Sequence, residues 1–201
     1  MFQSIAELNT AIPSCRGCSL GGVNLYCLAR GNPASKKMVI AEAPGKVEAR
    51  QHKVLVGPAG ILFDKIWASV GWDTNDWFLT NTLHCEPVAP KGSGKENLLP
   101  LEEQKKACRY LLDEEIRLVE PKVIVLLGKV AVGSILPALK NEPMRNLRGK
   151  SFDFGGILYY VLYHPSFILR SSFEPKKELE LKMEIWQDVL NLERLMKERG
   201  I

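Results

Sequence analysis

The chain has 201 residues, 46% hydrophobic and 25% charged, an ordinary globular balance with enough chain for one domain and a sizeable core. No apolar run approaches the roughly 18 residues needed to span a bilayer, and the opening MFQSIAELNT lacks the basic start and long apolar stretch of a signal peptide. A cytoplasmic protein is therefore expected. A formal net charge of +4 permits a polyanion partner without requiring one, and five cysteines without an export signal point to metal or catalytic use rather than disulfides.

Ser4 and Glu7 form a capping box ahead of a short helix with Ile5, Leu8 and Ile12 on its apolar stripe, ended by Pro13. A glycine-rich loop, SCRGCSLGG, follows. After it come four apolar runs of strand length: KMVIA at 37–41, WFLTN at 77–81, KVIVLLG at 122–128 and ILYYVLYH at 157–164. Between the first two, Phe63, Ile66, Trp67 and Val70 fall at helical spacing before Gly71, a C-terminal stop. Cys108, Leu111, Leu112 and Val119 mark a second helix opening near Pro100, and KVAVGSILPAL a shorter third. The basic stretch PKGSGKEN at 90–97 reads as a mobile loop rather than a domain linker. Residues 176–198 read as an amphipathic helix whose Leu, Ile and Trp stripe packs on the core while its charges face solvent. With no internal repeat, a single domain over 1–201 is expected.

Strands alternating with helices indicate an open parallel sheet covered on both faces, and such sheets bind ligands outside the carboxyl ends of their strands. There the chain places Glu42-Ala43-Pro44-Gly45, Asn81, Gly128 and His164-Pro165-Ser166. The Gly/Pro loop from 42 to 60 suits close approach of backbone to a small molecule or phosphate, but it is not a nucleotide P-loop, because Val47 rather than Ser or Thr follows Gly45-Lys46. Asn81 is either a loop cap or a side chain that presents a donor and an acceptor to one base edge. His164 alone reads as a hydrogen-bonded structural residue; with Glu42, Glu48 and Asn81 at one sheet edge it reads as part of a site. No nucleophile elbow, H-E-x-x-H or G-x-G-x-x-G occurs, which counts against hydrolase triads, zincins and dinucleotide enzymes. Cys15 and Cys18 form a C-x-x-C pair that Cys85 and Cys108 can join. Four thiolates suit tetrahedral zinc or an iron-sulfur cube, and spacing does not choose between them. Cys108 alone also reads as a buried free thiol, and Cys27, without an obvious partner, as structural.

Taken in order, EAPG, VGPAG, LTN, HC, KVIVLLG and HPSFILR, together with Cys15, Cys18, Cys85 and Cys108, resemble the family four uracil-DNA glycosylases, the iron-sulfur branch of their superfamily, over about residues 13–170. The resemblance implies an α/β fold, a three-layer α/β/α domain with a central, mostly parallel four-stranded sheet. It also implies a 4Fe-4S cluster on those four cysteines, partly in an N-terminal loop, and monofunctional hydrolysis of the N-glycosidic bond of deoxyuridine in DNA. A monomer acting on uracil-containing DNA, with no membrane partner, is expected. On this resemblance Glu42, Ala43 and Pro44 wall the uracil pocket, Glu48 is the acidic group nearest the attacking water, Asn81 reads the uracil edge, and His164 stabilises charge growing on uracil O2. The position of the stacking aromatic falls at Leu55. Ser166, Ile168, Leu169 and Arg170 meet the DNA, with Ile168 or Leu169 as wedge and Arg170 on phosphate or minor groove. Lys91, Lys95, Arg148 and Lys150 are candidates for phosphate contact or ordinary surface. Ala41, Ala49 and Leu55 depart from the family pattern, and leucine supplies apolar contact but no ring face. Two other readings follow from these departures: a lesion-binding iron-sulfur protein with weak or no turnover, and a glycosylase for another deaminated base. A zinc-stabilised nucleotide-binding module is a further one.

Overall fold

The computed structural model describes residues 1–22, 25–87, 99–171 and 173–201. Lys91, Lys95 and the stretch 90–97 lie outside the described residues. Among those described, six strands form one sheet: β1 (Arg30–Gly31), β2 (Lys37–Ala41), β3 (Phe78–Asn81), β4 (Val123–Leu127), β5 (Ser151–Phe154) and β6 (Ile157–Leu162), in the order β1-β3-β2-β4-β6-β5. β3, β2, β4 and β6 run parallel and are the four apolar runs of the sequence, while β1 and β5 close the two edges antiparallel. These edge strands correct the expected four-stranded sheet to six. They escape sequence reading because β1 has only two residues and β5 is exposed at three of its four positions, so neither carries an apolar run.

Alternate residues of each parallel strand enter opposite layers. On one face Val39, Leu79, Val125 and Tyr160 pack with Phe63 and Trp67 of helix α3 (Pro58–Ala68), Ile168 of α7 (Pro165–Leu169) and Ile185 and Val189 of α8 (Pro175–Glu198). On the other, Met38, Ile40, Phe78, Ile124, Leu126 and Val161 meet Leu112 and Val119 of α4 (Glu102–Val119), Ala131 and Val132 of α5 (Gly128–Ile135), and Leu147 of α6 (Met144–Leu147). Burial on both faces explains why the strands read as continuous apolar runs, and the outcome is three layers, α/β/α. Helix α1 (Ile5–Ala11) lies apart on α4, where Leu8, Ile12 and Leu111 form a small cluster beside Cys15 and Cys108.

The Ser4 hydroxyl caps α1 by accepting from the Glu7 N–H at 3.2 Å, but the expected box is left open: the Glu7 carboxylate accepts instead from the Gln3 N–H at 2.6 Å. In α8 the stripe Leu181, Ile185, Val189, Leu192 and Met196 is buried as expected, whereas Trp186 is 48% exposed. It follows Ile185 directly, so the helix turns it about 100° off the buried face.

From β2 the chain goes to β3 on one side and then returns across to β4 on the other. The reversal falls at β2, and open α/β sheets take ligands beyond the carboxyl ends of the strands at such a switch point.

Candidate active site and cysteine cavity

The loop after β2 is tied to the end of β3. Thr82 N–H donates to Ala41 O at 3.0 Å, Leu83 N–H to Glu42 O at 3.2 Å, and the Thr82 hydroxyl to Glu42 O at 2.5 Å. Glu42, half-buried, therefore stands beside Asn81. Burial holds its carboxyl above the ordinary carboxylate range, with the cations Arg170 and Lys105 opposing. Gly45 then caps the short helix α2 (Lys46–Gln51), from which Glu48 reaches back: its Oε1 accepts from the Gly57 N–H at 2.8 Å. A Cβ on Gly57 would lie 2.8 Å from that oxygen, and one on Gly45 2.9 Å from Oε2. The two glycines thus leave the space the carboxylate occupies, and Glu48 closes the loop with one oxygen while keeping the other for a ligand or water.

Asn81 ends β3 at 4% exposure. Its amide makes no hydrogen bond with the described residues, so donor and acceptor both remain for a ligand. His164 caps α7, and its Nδ1 accepts from the Ser166 N–H at 3.2 Å. The Ser166 hydroxyl is 2.8 Å from the same nitrogen and itself accepts from the Arg170 guanidinium at 3.1 Å. With Nδ1 taken as acceptor, the neutral ring carries its proton on Nε2, a free donor. Burial, helped by the Arg170 charge, pushes the imidazole down to about 4, so it is neutral at pH 7. Gly128, at φ +83°, lets the start of α5 pass against this histidine: a Cβ there would lie 3.0 Å from His164 Cβ.

The remaining sequence candidates divide. Ala43 and the buried Pro44 line the chain between Glu42 and α2. Leu55 is 4% exposed, packs in the main core and has φ +50°; the Arg30 guanidinium donates to Val54 O at 3.0 Å and to Leu55 O at 3.3 Å, pinning this turn. Ile168 is fully buried in the core. A wedge between DNA bases would have to leave that core, and Ile168 is corrected here to a packing residue. Leu169 is half-buried and Arg170 exposed on the same turn. Ser166 orients His164, a job not foreseen from the sequence. Arg148 is paired with Asp188 at 2.9 Å and Glu184 at 3.5 Å, which removes it from the free cations, while Lys150 is exposed.

 One cavity collects all four expected cysteines. Cys15, Cys18, Cys85 and Cys108 line it together with Ile12, Leu20, Leu83 and Leu111. Among the described residues no three His, Cys, Asp or Glu side chains gather closely enough to hold a single metal ion. Polar groups lie against two of the sulfurs: Gly17 N–H donates to Cys15 Sγ at 3.4 Å, Tyr110 Oη lies 3.5 Å from the same sulfur, and His84 Nδ1 lies 3.5 Å from Cys108 Sγ. Burial, and then the neighbouring Cys108, Cys18 and Cys15, push the Cys85 thiol up to about 12. Burial works in the same direction on Cys108, yet the hydrogen bond from His84 brings it below the ordinary thiol value. Cys27 is buried outside this cavity, as its structural reading expects.

Sequence reasoning missed His84 and Glu115, both buried and 3.0 Å apart. A signal was present: Glu115 falls on the stripe Cys108, Leu111, Leu112, Val119 of α4, a charged residue at an apolar position.

The family model described as the Uracil DNA glycosylase superfamily matches residues 28–190. Three curated relatives carry the name type-4 uracil-DNA glycosylase. The protein of Thermotoga maritima is 26% identical over 192 residues, covering 94% of this chain and 93% of its own. That of Archaeoglobus fulgidus is 29% identical, covering 84% of each chain. That of Sulfurisphaera tokodaii is 28% identical, covering 82% of this chain and 76% of its own.

Proposed function

This chain belongs to the uracil-DNA glycosylase superfamily, and from that premise we propose that it removes uracil from DNA by hydrolysing the N-glycosidic bond, leaving an abasic site for repair. The observation that carries the reading is the presence, at one sheet edge, of a buried Asn81 amide with no hydrogen-bond partner among the described residues and a neutral His164 whose Nε2–H likewise has none among them. The bond is out of reach in a stacked duplex, so the nucleotide must be flipped out. Asn81 then reads the base edge with one donor and one acceptor. His164 donates Nε2–H to uracil O2 as negative charge grows there, an interaction stronger in the transition state than in the ground state. Glu48 Oε2 accepts from the attacking water, its other oxygen holding the loop on Gly57. Glu42, Ala43 and Pro44 form the pocket wall. On the DNA side, Leu169 is the wedge, and Arg170 and Lys150 meet phosphate.

We place a 4Fe-4S cluster on Cys15, Cys18, Cys85 and Cys108. Four thiols around one apolar-walled cavity, one of them accepting from a backbone N–H, suit such a cluster. When bound, it supplies a structural tie between the N-terminal loop, the segment after β3 and α4, with no part in the hydrolysis. The remaining expectations are a single domain over 1–201, supported by core contacts that join elements from β2 to α8, and a monomer. Cytoplasmic placement accords with a DNA substrate; no helix among the described residues is long and apolar enough to cross a membrane.

A second reading, a glycosylase for another deaminated base, is favoured by Leu55, which brings no ring to the stacking position. The test is base release by anaerobically purified protein from oligonucleotides that differ only in carrying uracil, thymine, hypoxanthine or xanthine. Release of uracil alone is expected. Release of hypoxanthine or xanthine in its place selects the second reading, and an intact protein that releases no base overturns both.

A further inference from the structure

Beneath the cysteine cavity lies a chain of buried polar groups that the proposed hydrolysis does not use. His84 is 2% exposed and Glu115 0%. His84 Nδ1 stands 3.5 Å from Cys108 Sγ, its Nε2 3.0 Å from Glu115 Oε1, and the Thr80 hydroxyl donates to Glu115 Oε2 at 2.7 Å. Every side-chain polar atom of His84, Glu115 and Thr80 has a partner. Burying such groups costs stability unless the arrangement is complete, and well-packed apolar side chains commonly do as well or better. Packing alone therefore does not account for them.

We propose that His84 is a positioning residue for the metal centre: it donates Nδ1–H to the Cys108 sulfur and, through Glu115 and Thr80, fastens that ligand to β3, one residue before Asn81. The inference rests on the cluster placement given above. A metal-bound thiolate has no proton, so the sulfur contact can only be an N–H donation. The single proton between Nε2 and Glu115 Oε1 satisfies both atoms on whichever of them it resides, so the donation to sulfur does not depend on that choice. Outer partners of this kind orient a ligand, and hydrogen bonds to cluster sulfurs raise the reduction potential. Thr80 and Asn81 are consecutive residues of β3, and through Thr80 the same chain of bonds braces the strand that presents the base-reading amide.

The full chain, purified without oxygen, is compared with His84→Gln and His84→Asn. Asparagine places its amide nitrogen near the position of Nδ1 and keeps the donor toward sulfur; glutamine reaches toward Nε2 and loses it. Iron and acid-labile sulfide are measured first, because a chain without iron overturns the cluster placement and this inference with it. With iron present, His84→Gln is expected to lose cluster absorbance in chelator about 10-fold faster than the parent and to have a lower reduction potential, while His84→Asn retains most of both properties. Parental loss rate and potential in His84→Gln overturn the role of His84 and leave the cluster placement standing. A readout that needs no variant is pulsed electron paramagnetic resonance of the reduced parent protein labelled with 15N-histidine. Of the three histidines, only His84 lines the cysteine cavity. A 15N coupling to the cluster is expected, and its absence overturns the inference even where both variants fail to fold.

Discussion

At residue scale the site depends on what its polar atoms are already doing. The Asn81 amide is unspent, so Asn81→Ala is expected to cost about 1 to 3 kcal/mol of discrimination between uracil-containing and ordinary DNA while leaving affinity for ordinary DNA nearly unchanged. Competition binding with the two DNAs checks this; equal loss on both would make Asn81 a support of the fold. The His164 donor acts on charge that develops during the reaction, and His164→Ala should slow the single-turnover step by about 100-fold or more with little change in binding. A single-turnover rate close to the parent's would remove its electrostatic role. Asn81 and His164 were both legible in the sequence because each ends an apolar strand. The Ser166 and Arg170 bonds behind His164 were not, since a two-residue return from hydroxyl to imidazole depends on how α7 starts.

At the scale of elements, the loop from β2 to α3 is held by contacts that allow little substitution. A Cβ on Gly60 would lie 2.0 Å from Leu55 O, a backbone atom already bonded to Arg30. Gly60→Ala should therefore destabilise the protein by about 1 to 3 kcal/mol, through displacement of the first turn of α3 against the Leu55 turn. Urea unfolding measures it, and an unchanged midpoint would show that this loop yields freely. The glycine spacing that marks the loop was visible in the sequence, but the reason for it was not. Gly45 and Gly57 make room for one carboxylate, Glu48, and Gly60 for one carbonyl. In α8 the buried stripe followed from helical period, while Trp186 shows the limit of composition: an aromatic beside a core position still turns outward when the helix sets its angle.

For the whole molecule, the burial that makes His164 a neutral donor also couples stability to pH. Its value in the fold is about 4, against the ordinary 6.5, so between these pH values the unfolded chain binds the proton and the folded one does not. The stabilisation is complete above about pH 6.5 and is lost as pH falls toward 4, by about 3 kcal/mol for this group alone. Denaturant unfolding from pH 7 to pH 4 checks the slope, which His164→Ala should reduce; an identical slope in that variant would assign the acid sensitivity elsewhere. The sequence by itself determined the four central strands, their parallel arrangement and the residues at their carboxyl ends, because strands buried on both faces need unbroken apolar runs and their ends need polar or glycine residues. Only the tertiary structure decided that Ile168 is core, that Arg148 is spent on Asp188 and Glu184, and that His84, Glu115 and Thr80 join a cysteine to the active strand. Those contacts join residues far apart in the chain, and their partners are set by how helices pack across the sheet, which no local period records.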